Sequence, residues 1–237
     1  MIFLLISNST YPPDSYCGDP PSNRYCTICH SAAPLNPGGS GSVYFNKPSS
    51  YVPGNSYDLN IVVKGHGNRR FGFQMIIKDV QNNPIGSFQT IGPNTRISAG
   101  GYATHQNAPV SNDSFVFKIR WIAPSNYSGK VYVYLVGNVA NNNGAISGDS
   151  IYAIKDSILS VVNLAENDEI TITQNSNSIH IKTLNKVRVK IDFYSIYGRR
   201  YRVFDGYLQG EREFKLHGIG FLSIKYDDKE KIIKILR

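Results

Sequence analysis

Apolar and polar positions alternate along much of the chain with a period of two. Tyr57, Leu59, Ile61 and Val63 interleave with polar neighbours, as do Phe115, Phe117, Ile119 and Trp121, and then Val131, Val133 and Leu135. Alternation of this kind marks strands with one face buried. Phe71 to Val80 is a more continuous apolar run of strand length, and Val43-Tyr-Phe45 is a short one. Gly, Pro and Asn clusters separate these runs: Tyr51-Val-Pro-Gly-Asn55, Gly65-His-Gly67, Gln81-Asn-Asn-Pro84 and Ala123-Pro124. Short strands at regular spacing between such turn signals predict a β-sandwich over residues 15–157.

The texture changes after 156–163, where Lys, Arg and Glu rise and Pro vanishes. Seven further strands are predicted, at 170–173, 178–184, 187–194, 201–205, 212–216, 219–226 and 231–236, with Gly198, Asp205-Gly206, Gly210 and Gly218 between them. The fold class is therefore all-β, as two β-sandwich domains, the second a compact seven-stranded one over 161–237. Residues 7–42 are turn-rich and carry few apolar side chains, so something other than a core of their own must hold them. Met1-Ile-Phe-Leu-Leu-Ile6 is apolar but short and without a basic flank. It reads either as the remnant of a signal peptide or leader (1–14) or as a first strand.

Composition agrees with a β surface outside the cell. Of 237 residues, 16 are Tyr and 21 are Gly, and only 18% are charged. The net charge of +8 is divided evenly between the two halves, which argues against a nucleic-acid-binding arm. Lys182, Lys186, Arg188 and Lys190 alternate with Val187, Val189 and Ile191, the pattern of the wet face of a strand. No stretch approaches the length of an apolar membrane span.

One chemical signature stands out: Cys26-Thr-Ile-Cys29-His30. Cys-x-x-Cys-His is the haem c attachment pattern, in which two thiols reach the vinyl groups and the adjacent His ligates iron. Cys26 and Cys29 are the candidate thioether positions, His30 the proximal ligand and His105 the candidate distal one, so that His30 and His105 form the candidate metal pair. Met75 is the alternative distal ligand, while His66, His180 and His217 read as solvated. Haem is not the sole reading. A Cys26–Cys29 disulfide or a zinc site also uses these residues, although the paired spacing of zinc motifs is absent. Cys17 has no place in the haem or the disulfide reading. Asp149, in Ser147-Gly-Asp149, is a lone carboxylate for calcium. No Gly-x-Ser-x-Gly elbow, phosphate loop or His-Glu-x-x-His is present, and no carboxylate pair is placed for glycoside chemistry. The enzyme question stays open, with electron transfer or binding preferred.

Two resemblances add to this. The stretch Val187-Arg-Val-Lys-Ile-Asp-Phe-Tyr-Ser-Ile-Tyr-Gly-Arg-Arg200, then Gly218-Ile-Gly-Phe-Leu-Ser-Ile224 and Lys229-Glu-Lys-Ile-Ile-Lys-Ile-Leu236, resembles the C-terminal sorting domains of type IX secretion over residues 161–237. Phe221 stands where that family has Tyr, and its Asn-Pro start is missing. The resemblance implies the type IX translocon and sorting machinery as partners, and secretion or attachment at the outer-membrane surface of a Gram-negative bacterium of the Bacteroidota. Gly18-Asp-Pro-Pro21, Tyr51-Val-Pro-Gly54, Arg69-Arg-Phe-Gly-Phe-Gln74, Thr104-His105, Trp121-Ile-Ala-Pro124 and Gly137-Asn-Val-Ala-Asn-Asn-Asn-Gly144 with Ser147-Gly-Asp149 resemble, in order, the choice-of-anchor V or Reeler-like domains. That resemblance implies a Reelin-N-terminus-like sandwich that commonly carries CxxCH. Two functions follow as expectations. One is a monohaem c-type protein of the cell surface that passes electrons to an outside redox partner. The other is a non-catalytic adhesion or assembly module with a structural CxxC disulfide.

Overall fold

The computed structural model describes residues 10–160, 162–166, 170–174 and 178–235; the apolar start Met1–Ile6 lies outside them. It divides into two compact units, the first running essentially to Ile158 and the second from Leu159 onward, with Ser50–Pro53 and Tyr127–Gly129 grouped with the second. No α-helix occurs among the described residues, and the all-β reading holds.

In the first unit eight strands follow one another: β1 (Ser42–Phe45), β2 (Ser56–Lys78), β3 (Ser87–Thr90), β4 (Thr95–Ile97), β5 (Ala103–His105), β6 (Val110–Ile122), β7 (Lys130–Ala140) and β8 (Ser150–Leu159). β2 is the axis of the unit. Its first half pairs with β1 and β6, its second half with β7 and β5, and β3 and β8 extend the two layers from β6 and β7. The turn expected at Gly65-His-Gly67 is not one. β2 runs straight through, and the β2–β6 register shifts between Lys64 and Asn68. The glycines serve this crossing: a Cβ on Gly65 would meet Val139 Cγ1 at 2.4 Å, and Gly67 has φ of 70°. A bulge with glycine re-aims a strand without ending it.

The inner faces of the two layers meet in one core. Leu59, Ile61, Val63, Phe71, Phe73, Met75 and Ile77 come from β2, and Phe117, Ile119, Trp121, Val131, Val133 and Leu135 from β6 and β7; all are buried. The rings of Phe73 and Phe117 lie 4.6 Å apart across it. Met75 is fully enclosed here, which accounts for it as packing.

The second half of β2 is buried on both faces, and this explains why Phe71–Val80 does not alternate. Its outward residue Ile76 joins Tyr134 and Val136 of β7, Ile151 of β8, and Cys17 and Tyr102 in a second, smaller core, with Cys26 and Leu35 against it. The N-terminal segment is therefore ordered as a cover over the outside of one layer. A single bridge between Cys17 and Tyr25, and Asn36 N–H donating to the Ile151 carbonyl, fix its course.

The second unit has six strands among the described residues: β9 (Val162–Glu166), β10 (Ile170–Gln174), β11 (Ser178–Ser195), β12 (Arg200–Lys215), β13 (Gly220–Tyr226) and β14 (Lys229–Ile235). The expected segments 178–184 and 187–194 are one long strand with a register shift between Thr183 and Val187, and 201–205 and 212–216 are likewise one. β9 is a strand that the sequence pattern did not mark. The two joins take the count from seven to five, β9 brings it to six, and the architecture is left intact. Ile170, Ile172, Ile179, Ile181, Val189 and Ile191 share a core with Leu222, Ile224, Ile233 and Ile235.

Candidate functional site

The CxxCH motif forms one turn of 3₁₀ helix, Cys26–Ile28, and His30 N–H donates to the Cys26 carbonyl at 2.9 Å. The turn thus brings Cys26, Cys29 and His30 together as the sequence implies. Their side chains then go different ways. Cys26 packs against the smaller core, its Sγ 3.7 Å from the Tyr16 carbonyl. Burial, with the Cys29 thiol adding to it, pushes the Cys26 thiol up to about 12. His30 reaches across to the β7–β8 loop, where its Nδ1 lies 2.6 Å from Asp149 Oδ2. Asp149 is 1% exposed and also accepts the Asn141 backbone N–H at 3.1 Å. Asp149 is therefore the anchor of the motif, with both its carboxylate oxygens engaged.

His105 sits elsewhere. It ends β5, is buried, and lies edge-on against Gly72, where a Cβ would meet its ring at 2.8 Å. The Phe73 backbone N–H donates to its Nδ1 at 3.1 Å. The expected polar loop is thus a short internal strand. His66 and His217 are exposed, as read from sequence, while His180 is partly buried beside Glu211 and Glu213. Among the described residues no three His, Cys, Asp or Glu side chains converge as a metal site.

Set against haem c, the two ends of the motif behave differently. His30, held at Nδ1 by a buried carboxylate, has the orientation that a metal-ligating imidazole takes. Cys26 does not fit, because its sulfur faces the smaller core and would have to leave it before a thioether could form.

Behind Cys26 lies a cluster that the sequence did not announce. Lys78, at the end of β2, places Nζ 2.6 Å from Asp19 Oδ2, and the two side chains are 5% and 1% exposed. Lys78 Nζ also donates to the Pro20 carbonyl. The Tyr102 hydroxyl donates to the same Asp19 Oδ2 at 2.7 Å, and Cys17 Sγ lies 3.4 Å from Oδ1. Burial raises the Tyr102 phenol well above its ordinary range, against a lowering by Ser15 and with Asp19 adding to the rise. Cys17 is raised by burial first and Asp19 next. Both therefore remain protonated donors toward Asp19. The sequence signal for this cluster is Lys78 itself, a charge that follows the mostly apolar stretch Phe71–Ile77.

In the second unit a groove of about 680 Å³ is walled by Phe193, Ile196, Tyr197, Tyr201, Leu216 and Ile219. The turn Tyr197-Gly198-Arg199 lies at its rim, with Gly198 at φ 76°.

Residues 27–142, just under half of the chain, match the Reeler domain family. The match lies essentially within the first unit. Among solved structures the chain is similar to the Reelin-N domain of F-spondin, at 19% identity and a TM-score of 0.41, over 56% of this chain and 96% of that one. The human F-spondin reeler domain (fragment 1) gives 19% and 0.39, over 55% and 95%. The CupB2 chaperone of Pseudomonas aeruginosa gives 10% and 0.24, over 81% and 100%. At these scores the likenesses add nothing to the family match. No curated protein matches the chain. Reeler domains are typically extracellular. No helix among the described residues is long and apolar enough to cross a membrane.

Proposed function

We propose that this is an exported, non-catalytic surface module, in which the Reeler domain meets an outside partner or matrix and the second unit is the handle for type IX export and sorting. The observation that carries the first part is the inward Cys26. The CxxCH turn is built into the smaller core on one side and onto Asp149 on the other, as a structural clip of the N-terminal cover. For the second part, the stretch Val187–Arg200 that resembles the sorting signature supplies Phe193, Ile196 and Tyr197 to the groove. A signature whose residues wall an exposed apolar groove is suited to be read by another protein. The outer-membrane surface of a Gram-negative bacterium is the matching location. Deleting residues 161–237 is expected to hold the first unit inside the cell envelope of a type IX-competent host, and undiminished export of the truncated chain would remove the handle.

The second reading is a monohaem c-type protein, with Cys26 and Cys29 as thioether sites, His30 proximal, His105 distal and a redox partner at the cell surface. The Asp149 contact to His30 Nδ1 favours it, since that contact leaves Nε2 for iron. Intact mass and the visible spectrum after maturation with the c-type assembly machinery separate the two. A gain of about 616 Da with a Soret band establishes the cytochrome. A mass without haem removes the cytochrome, and a further loss of two protons marks a Cys26–Cys29 disulfide.

A further inference from the structure

The Lys78–Asp19 cluster has no part in either reading above. It lies where two charges are hardest to keep. Withdrawing a carboxylate and an ammonium from water costs several kcal/mol per ion even after relaxation, and here both side chains are at or below 5% exposure. Every neighbour is arranged around one carboxyl group. Tyr102 donates to Oδ2, Cys17 lies against Oδ1, and Lys78 stands against Oδ2 with its nitrogen also held by the Pro20 carbonyl. The amine is fixed against the carboxyl in a closed site, which is the proximity that makes a condensation effectively unimolecular.

We propose that Lys78 Nζ and Asp19 Cγ become joined by an amide bond, an internal crosslink that fastens the N-terminal cover to the end of β2. The step balances within the pair. A proton passes from the ammonium to the carboxylate, and the neutral nitrogen attacks Cγ. The Cγ–Oδ2 bond breaks, and Oδ2 departs as water with the two protons lost by nitrogen. Oδ1 becomes the amide oxygen. No oxidant and no co-reactant enter. Tyr102 and Cys17, donating to the two oxygens, polarise the carboxyl during attack, the part a second acid would play, and Tyr102 attends the oxygen that leaves. The remaining amide N–H keeps the Pro20 carbonyl as its acceptor. The product is neutral, so the cost of two buried charges disappears. The crosslink lies in the part of the first unit with the least strand pairing, where a covalent tie restrains the unfolded chain most usefully.

The test is mass spectrometry of the full chain, reduced and alkylated so that no disulfide contributes. The intact mass is expected about 18 Da below that of the sequence with its three cysteines alkylated, the loss of one water. After trypsin, residues 1–24 should appear only as a branched product joined to 71–96, because an amidated Lys78 is no longer cleaved. Lys78→Ala should restore the full mass, which separates the crosslink from succinimide formation at Asn143-Gly144 or Asp205-Gly206. Tyr102→Phe should slow crosslinking after synthesis by tenfold or more; an unchanged rate would overturn the part given to Tyr102. Free peptide 1–24 together with peptide 71–78 from the wild-type chain would overturn the proposal outright. That result needs no variant to fold.

Discussion

The two units treat the outside of a sheet in opposite ways. Each is organised around one long strand that shifts register part-way, β2 between Lys64 and Asn68 and β11 between Thr183 and Val187. In the first unit the outer face of β2 and β7 is covered by the N-terminal segment, and polar groups beneath the cover are sealed from water. In the second unit the outer face of β11 stays open. There the Asp192 carboxylate, itself nearly covered, is gripped by the half-exposed Arg200 at 2.7 Å and Arg202 at 2.5 Å, and Arg202 also reaches Asp205 at 2.6 Å. Charge pairs whose arginines stay in water keep a sheet soluble and resist edge pairing. A covered face instead concentrates reactive groups in a dry place, and the unusual chemistry of this chain is found there.

The largest effect should come from breaking the covered face. Asp19→Ala strands the Lys78 ammonium, or leaves it as an unpaired amine, in a closed site. A loss of about 3–5 kcal/mol is expected in denaturant unfolding. Next, Ile76→Ala opens a hole in the smaller core, for about 2–5 kcal/mol. The N-terminal segment should then become the first site of limited proteolysis, whereas Ile191→Ala in the second unit should leave that segment protected. On the open face the effects are smaller and depend on pH. Burial pushes Asp192 up, but Arg200 and Arg202 outweigh it and hold its carboxyl below the ordinary range. A depressed carboxylate gives stability that is present above its unfolded value, about 4, and is lost as pH falls through the lower folded value. Asp192→Asn should therefore cost about 1 kcal/mol at pH 7 and nothing once the wild-type carboxylate is itself protonated, well below pH 4. The smallest change is expected for Arg120→Ala. Its pair with Asp58 lies at the surface, and the thermal midpoint should not move measurably.

The comparison also explains what the sequence disclosed. Alternation revealed Leu59, Ile61 and Val63 as one inner face because the opposite side of that stretch is wet. It failed at Phe71–Val80, where both sides are dry, and at Gly65-His-Gly67, where two glycines signal a turn yet allow a bulge. β5 is too short to carry a period, so His105 looked like a loop residue when its ring is in fact packed on Gly72. The CxxCH pattern located Cys26, Cys29 and His30 together but carried no information on where each side chain points. Asp149 and Asp19, distant along the chain from His30 and Lys78, had no local pattern to betray their partners.

β2 belongs to both layers of the first unit, and this has a kinetic consequence. A sandwich whose layers are built from separate strands can open one sheet at a time. Here the amides of residues 57–64 and 70–78 lie on one continuous backbone that pairs with four other strands. The two layers are thereby tied into one cooperative opening unit, and amide hydrogens in both halves of β2 should exchange with solvent at a common, slow rate set by global unfolding.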